Sequence, residues 1–122
     1  MAIVDKILDI LGLQVKPPTM KQNLTFKELQ QLVEEQAKKR GDYWPKGDIM
    51  LQIISEVGEL AKATNESRPQ KPGEERDVPG EISDIVYALV CLANTSGIDL
   101  EEALQRKIGI FEERDKNRFT EK

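Results

Sequence analysis

Two stretches decide how this chain reads: residues 53–63, IISEVGELAKA, and residues 80–94, GEISDIVYALVCLAN. Each carries two carboxylates three positions apart, Glu56 with Glu59 and Glu81 with Asp84. Residues at that spacing on a helix lie on neighbouring faces, so each pair can converge on one point. If the two helices pack antiparallel, four acids are brought to one place. Like charges that close repel strongly unless some protonate or a cation sits among them.

The flanking residues predict helices around both pairs. The spacing of Ile49, Ile53, Val57, Leu60 and Thr64, with Met50, Ile54 and Ala61 beside them, predicts a helix over about 49–66, capped by Asp48. Glu56 then falls on the border of its apolar face, with Glu59 further round. Gly58, between them, suggests a point of close backbone packing. A second helix is expected to start at Asp77 or Val78, with Pro79 in its first turn, where proline is tolerated. Its run of nine uncharged residues, Ile85 to Ala93, predicts a central, buried helix with Glu81 and Asp84 at the mouth of the core. Between the two helices, SRPQKPGEERD (67–77) reads as a mobile loop.

Working outward, Thr25-Phe-Lys-Glu28 is a capping-box pattern that opens a helix to about Arg40, with Gly41 as its stop. Phe26, Leu29, Leu32, Val33 and Ala37 form its apolar stripe. DYWPKG (42–47) is a turn carrying the single tryptophan, Trp44. Asp99-Leu-Glu-Glu102 opens a last helix, expected to reach Arg118, with Ala103, Leu104, Lys107, Ile108 and Phe111 at helical spacing. Residues 2–13 form a further amphipathic stripe, and Pro17 and Pro18 break the chain after it. Asp5 and Asp9 offset Lys6, so this segment is expected to pack on the domain or on a second subunit, not on a membrane. No alternating strand pattern and no internal repeat occurs. The expected fold class is all-α: a four-helix bundle with an extra N-terminal helix, residues 1–24 being helix and linker and 25–122 the domain.

Composition narrows the chemistry. The 122 residues make one domain, and the net charge of −4 with scattered basic residues argues against a nucleic-acid partner. No apolar run is long enough to cross a bilayer. Cys91, the single cysteine, lies inside an apolar run and reads as a buried thiol; with no signal peptide this points to the cytoplasm. There is no histidine, which removes His-based zinc sites and His-dependent triads. Any metal site must use oxygen ligands, favouring Mg²⁺, Mn²⁺ or Ca²⁺. Acid pairs in an acidic helical chain are often only solvated faces. Here both lie in the two most apolar helices, and Lys62 is the one basic residue near Glu59.

The paired motif, its spacing and the apolar run after Asp84 resemble the Glu-x-x-Glu … Glu-x-x-Asp signature of MazG-like nucleotide pyrophosphohydrolases, within the all-α NTP pyrophosphatase group. The similarity covers roughly residues 25–119. It implies helical bundles assembled as homodimers or homotetramers, with Mg²⁺ (or Mn²⁺) held by Glu56, Glu59, Glu81 and Asp84. The implied reaction converts a (deoxy)nucleoside triphosphate to monophosphate and pyrophosphate, as nucleotide-pool housekeeping. By the same resemblance Lys107 and Arg114 face the phosphates, and Trp44 lies in the segment that lines the base pocket. Ser55 stands where many relatives carry a further Glu, leaving open one metal or two. The alternative is a non-catalytic helical interaction or regulatory module that keeps the fold.

Overall fold

The computed structural model describes residues 23–118, which form four α-helices and no strand. The helix expected over 2–13 lies outside that range. Helix α1, Phe26–Lys39, opens on the expected capping box: the Glu28 amide donates to Thr25 Oγ1, and the Thr25 amide donates to Glu28 Oε1, both at 3.1 Å. It closes through Gly41, whose φ of +96° suits a residue without a Cβ. The Asp42 amide then bonds back to the Ala37 carbonyl at 2.8 Å. Asp42 is also left-handed, at φ +87°, and its carboxylate is clasped by Lys38 Nζ at 3.1 Å to each oxygen. Two left-handed residues in succession reverse the chain and return Tyr43 to the core.

Helix α2 spans Lys46–Thr64, so it starts earlier than the Asp48 cap predicts. Pro45 takes the cap position, and the amides of Asp48 and Ile49 both bond to its carbonyl, at 3.0 and 3.1 Å. Asp48 is therefore already helical and sits in the acidic first turn, favourable to the helix dipole. Helix α3, Val78–Thr95, is capped by Asp77, which accepts the Gly80 amide at 3.1 Å. A Cβ on Gly80 would lie 2.0 Å from Asp77 Oδ2, so a larger residue one position before Glu81 would push the capping carboxylate aside. Helix α4, Leu100–Asp115, is capped by Asp99 through the Glu102 amide. It stops one turn short of the expected end, and Arg118 folds back onto Asp115 at 3.2 Å.

The core is the seam between α2 and α3: Ile49 and Ile53 pack on Ala88 and Cys91, with Val33, Tyr43, Tyr87 and Leu92 closing round them. The apolar stripes are only partly covered. On α2 the buried residues are Ile49, Ile53 and Ala63, while Met50, Ile54 and Val57 face outward. On α3 Ala88, Val90, Cys91 and Ala93 are buried, but Ile82, Val86 and Leu89 are exposed. No residue of α4 is buried, and Leu104, Ile108 and Phe111 stand open. The physical reason is simple: within one chain α4 packs mainly on α1, so nothing covers its apolar stripe. A Cβ added at Gly58 would meet nothing within 4 Å, so packing within this chain does not call for glycine there. No described helix is long and apolar enough to cross a membrane.

Two polar clusters fix the rest. Gln30, only 7% exposed, donates to Asn94 Oδ1 at 3.0 Å and the Ile98 carbonyl at 3.1 Å, and accepts the Leu100 amide at 2.9 Å. Asn94 Nδ2 in turn donates to the Gln30 carbonyl and to the Tyr43 hydroxyl. One amide pair thus joins α1, α3, the start of α4 and the turn before α2. The α2–α3 connection, expected to be mobile, is instead cross-linked around Glu74. Its carboxylate takes Arg68 Nη2 at 2.7 Å and the Lys71 amide at 3.1 Å, while Arg76 donates to the Arg68 carbonyl.

Replacing Gln30 with Leu takes a partner from the part-buried Asn94 amide, Ile98 carbonyl and Leu100 amide. We expect it to cost about 1–3 kcal/mol, the scale of a polar group left unsatisfied away from water. The exposed neighbour Gln31→Leu should stay within about 0.5 kcal/mol. Urea unfolding of both variants checks the contrast.

Candidate metal and nucleotide site

The α2–α3 seam places Ile49 and Ile53 opposite Ala88 and Cys91, so the helices run antiparallel. Stepping up α2 from Ile53 reaches Glu56, and stepping down α3 from Ala88 reaches Asp84 and Glu81. The two sets of acids therefore meet at the same end of the seam. Glu56, Glu81 and Asp84, all half-buried, each offer an oxygen within 4.8 Å of the others. Glu59 is not drawn in: it lies on a more exposed face and pairs with Lys62 at 3.6 Å. Three of the four expected carboxylates are brought together.

Glu81 is the most constrained of them. Its Oε2 is buried and has no hydrogen-bond partner. Burial pushes its carboxyl above the ordinary glutamate value, and Glu56, Asp84 and Glu59 push it the same way. An oxygen withdrawn from water, unpartnered and flanked by other carboxylates, suits a hard divalent cation, which takes oxygen ligands and relieves the repulsion. Glu56 is steered by Gln52, one turn earlier on α2, whose amide nitrogen donates to Glu56 Oε1 at 2.7 Å.

A cavity of about 600 Å³ opens beside this cluster, between α2, α3 and the end of α1. Glu56 and Asp84 line one end. Tyr43, Trp44, Arg40, Tyr87 and Cys91 line the remainder, with Gln52 along the α2 side. Trp44 is therefore on the cavity wall, 63% exposed and open to a ligand. Lys107 and Arg114 do not line it. Both lie on exposed α4, their cationic groups 6.0 and 4.8 Å from the Phe111 ring centroid, and Arg114 also bonds Asp115 at 2.8 Å. Cys91 is a buried thiol, as expected, and burial raises its pKa.

The sequence reading missed Gln52, Arg40 and Tyr87. Gln52 and Tyr87 had a usable signal, since they stand four residues before Glu56 and three after Asp84, on the same helical faces. Arg40 had none. It reaches the cavity only because the Gly41–Asp42 reversal brings the end of α1 against α3.

Fold and site together define an all-α protein whose two central helices present an oxygen-ligand cluster beside a ligand-sized cavity. Residues 46–119 match the profile of the MazG nucleotide pyrophosphohydrolase domain, and the chain belongs to that family. It is 40% identical over 78 residues to the uncharacterised protein YpjD of Bacillus subtilis (strain 168), covering 61% of this chain and 70% of that one. The YpjD crystal structure superposes with a TM-score of 0.66 at 33% identity, over 78% of this chain and all of the other. A second crystal structure, of the Bacillus-conserved MazG protein, a nucleotide pyrophosphohydrolase, gives 0.63 at 29% identity, over 75% and 93%.

The raised Glu81 pKa has a definite consequence for stability. Folding binds its proton more tightly than the unfolded chain does, so ionising it destabilises the fold. In chelator, stability contributed at low pH should be lost as pH rises from the ordinary value of 4.5 through the folded value. Glu81→Gln should flatten that loss and raise the urea midpoint at pH 7. Denaturation in EDTA at pH 4.5 to 7 measures both.

Proposed function

We propose that this protein hydrolyses (deoxy)nucleoside triphosphates to the monophosphate and pyrophosphate in a Mg²⁺-dependent reaction that clears nucleotides from the pool. The observation that carries this reading is the buried, unpartnered Glu81 oxygen, converging with Glu56 and Asp84 at one end of a 600 Å³ cavity. Family membership adds the reaction class.

In this reading Glu56, Glu59, Glu81 and Asp84 hold Mg²⁺, with Mn²⁺ as a substitute, and Glu59 leaves Lys62 to do so. Bound there, the ion supplies Lewis acidity to a phosphoryl oxygen and acidity to a water. The remaining work falls to the chain. Gln52 keeps one oxygen of Glu56 engaged, fixing the rotamer that aims the other. In a chain without histidine, a carboxylate of the cluster takes the proton from the attacking water. Trp44 offers its ring to the base. Lys107 and Arg114 stabilise charge on the departing pyrophosphate. They lie outside this chain's own cavity, so they act from a second copy. The exposed apolar residues of α2, α3 and α4 support a homodimer or homotetramer.

Pyrophosphate release measured over a nucleotide panel, with Mg²⁺ and with chelator, tests the reading. Activity should need the metal and fall at least on the order of a hundredfold in Asp84→Asn, the scale of losing one preorganised electrostatic group. Turnover that survives chelation would overturn the metal dependence, and none on any nucleotide would leave a helical interaction module instead. Gln52→Leu should weaken Mg²⁺ affinity about tenfold or more, the cost of removing a group that orients a ligand. Its melting temperature in chelator should stay close to that of the wild type, as calorimetry would show.

A further inference from the structure

The cavity has a metal end and a far end, and the two differ in what they offer a ligand. Along α3 its lining runs from Asp84 through Tyr87 to Cys91, a rise of about 10 Å at 1.5 Å per residue. The acids stand at one end. Tyr43, Trp44 and Arg40 lie towards the other, where the nucleoside half of a nucleotide sits when its phosphates are at the acids.

An account of donors and acceptors at the far end is one-sided. The Tyr87 hydroxyl has its proton committed: it donates to Gln36 Oε1 at 2.8 Å, and it accepts from Arg40 Nη2. The Asp42 carboxylate is taken by Lys38 and the Tyr43 amide. The Gln52 amide nitrogen is committed to Glu56. The Tyr43 hydroxyl already accepts from Asn94. Arg40 remains. Its guanidinium leans over the Tyr87 ring, 5.9 Å from the centroid, and spends one of five N–H groups on the Tyr87 hydroxyl. The Tyr87 hydroxyl that it bonds belongs to the turn of α3 between Asp84 and Cys91, on the side of the lining beyond the acids. The largest uncommitted donor capacity of this half is thus a planar fork.

A fork of donors selects a ligand edge with two neighbouring acceptors. The O6 and N7 atoms of a 6-oxopurine form that edge, and Arg pairs with it bidentately. Adenine offers N7 but sets an N6 amino donor beside it. We propose that Arg40, held in place by Tyr87, reads the base of the bound nucleotide and makes this site select 6-oxopurine nucleotides, those of guanine and hypoxanthine, over adenine nucleotides. This rests on the nucleotide-hydrolase reading above and adds the base to it. Arg40 is the specificity-determining residue, and Tyr87 is the positioning residue that fixes the plane of its fork.

Trp44 is the single tryptophan and lines the cavity, so its fluorescence reports occupancy without turnover. The full chain is titrated, with Mg²⁺ present, against GMP, IMP and AMP. Wild type should bind GMP and IMP about tenfold tighter than AMP, within the range of one bidentate base contact. Arg40→Ala should bring all three within twofold of one another, mainly by weakening GMP and IMP. Arg40→Lys keeps the charge but lacks the fork, so it too should lose the preference, and it decides the matter if the alanine variant fails to fold. Tyr87→Phe should narrow the preference, mainly by weakening GMP and IMP. The inference is overturned if wild type shows no preference for GMP and IMP, or if Arg40→Lys keeps it. It is equally overturned if Arg40→Ala weakens all three alike, which would make Arg40 a phosphate or ribose contact. A wild type that releases no pyrophosphate yet shows the GMP and IMP preference would sink the hydrolase reading alone.

Discussion

The packing of two isoleucines, Ile49 and Ile53, against Ala88 and Cys91 is the contact on which the rest of the structure depends. Small residues on α3 let α2 approach closely, and the antiparallel seam this makes has a fixed register. That register forces Glu56 to face Glu81 and Asp84. Apolar burial is the favourable term here. Bringing carboxylates together is the unfavourable one, and hydrophobic packing elsewhere on the same helices offsets it. The site is thus a by-product of the core: slide the seam by one turn and the acids part.

The opposition is local and directional. Asp77 caps α3 and Gly80 makes room for that cap, so the first turn of α3 is rigid just where Glu81 emerges. Across the seam Gln52 restrains Glu56. At this same end of the two helices, the Glu74-centred cross-links brace their connection. The acids are consequently held near one another by groups that take no part in their charge, and the repulsion is stored in place of being relaxed by movement. Sites with carboxylates fixed before a ligand arrives lose little in reorganisation when one does.

Much of this was legible in the residues. Capping boxes at Thr25 and Asp99, and Pro79 in the first turn of α3, gave three helix starts, because such signals act within a few residues of the chain. The start of α2 was misplaced at Asp48, since Pro45 uses its backbone and the sequence shows no side-chain bond to compete with it. The convergence of Glu56, Glu81 and Asp84 followed from helical spacing and one assumption about packing. Glu59 stayed apart because a three-residue step turns it onto the exposed face, where Lys62 is a nearer partner. Core stripes were over-assigned. Val57, Ile54 and the α4 residues have helical periodicity, but periodicity reports an apolar face and not what covers it. Arg40 and the Gln30–Asn94 pair were invisible, because partners some 47 and 64 positions apart in the chain leave no short-range trace.

The Gln30–Asn94 pair has a consequence of its own. It ties three helices with neutral amides, so nothing in it gains or loses a proton. The acid cluster is built from groups that all do. One part of the molecule is therefore indifferent to acidity while another is governed by it, and the two share no side chain. Such a division lets substitutions accumulate around the charged pocket, altering what it accepts, without eroding the scaffold that carries it. The amide clasp is what makes the pocket free to evolve.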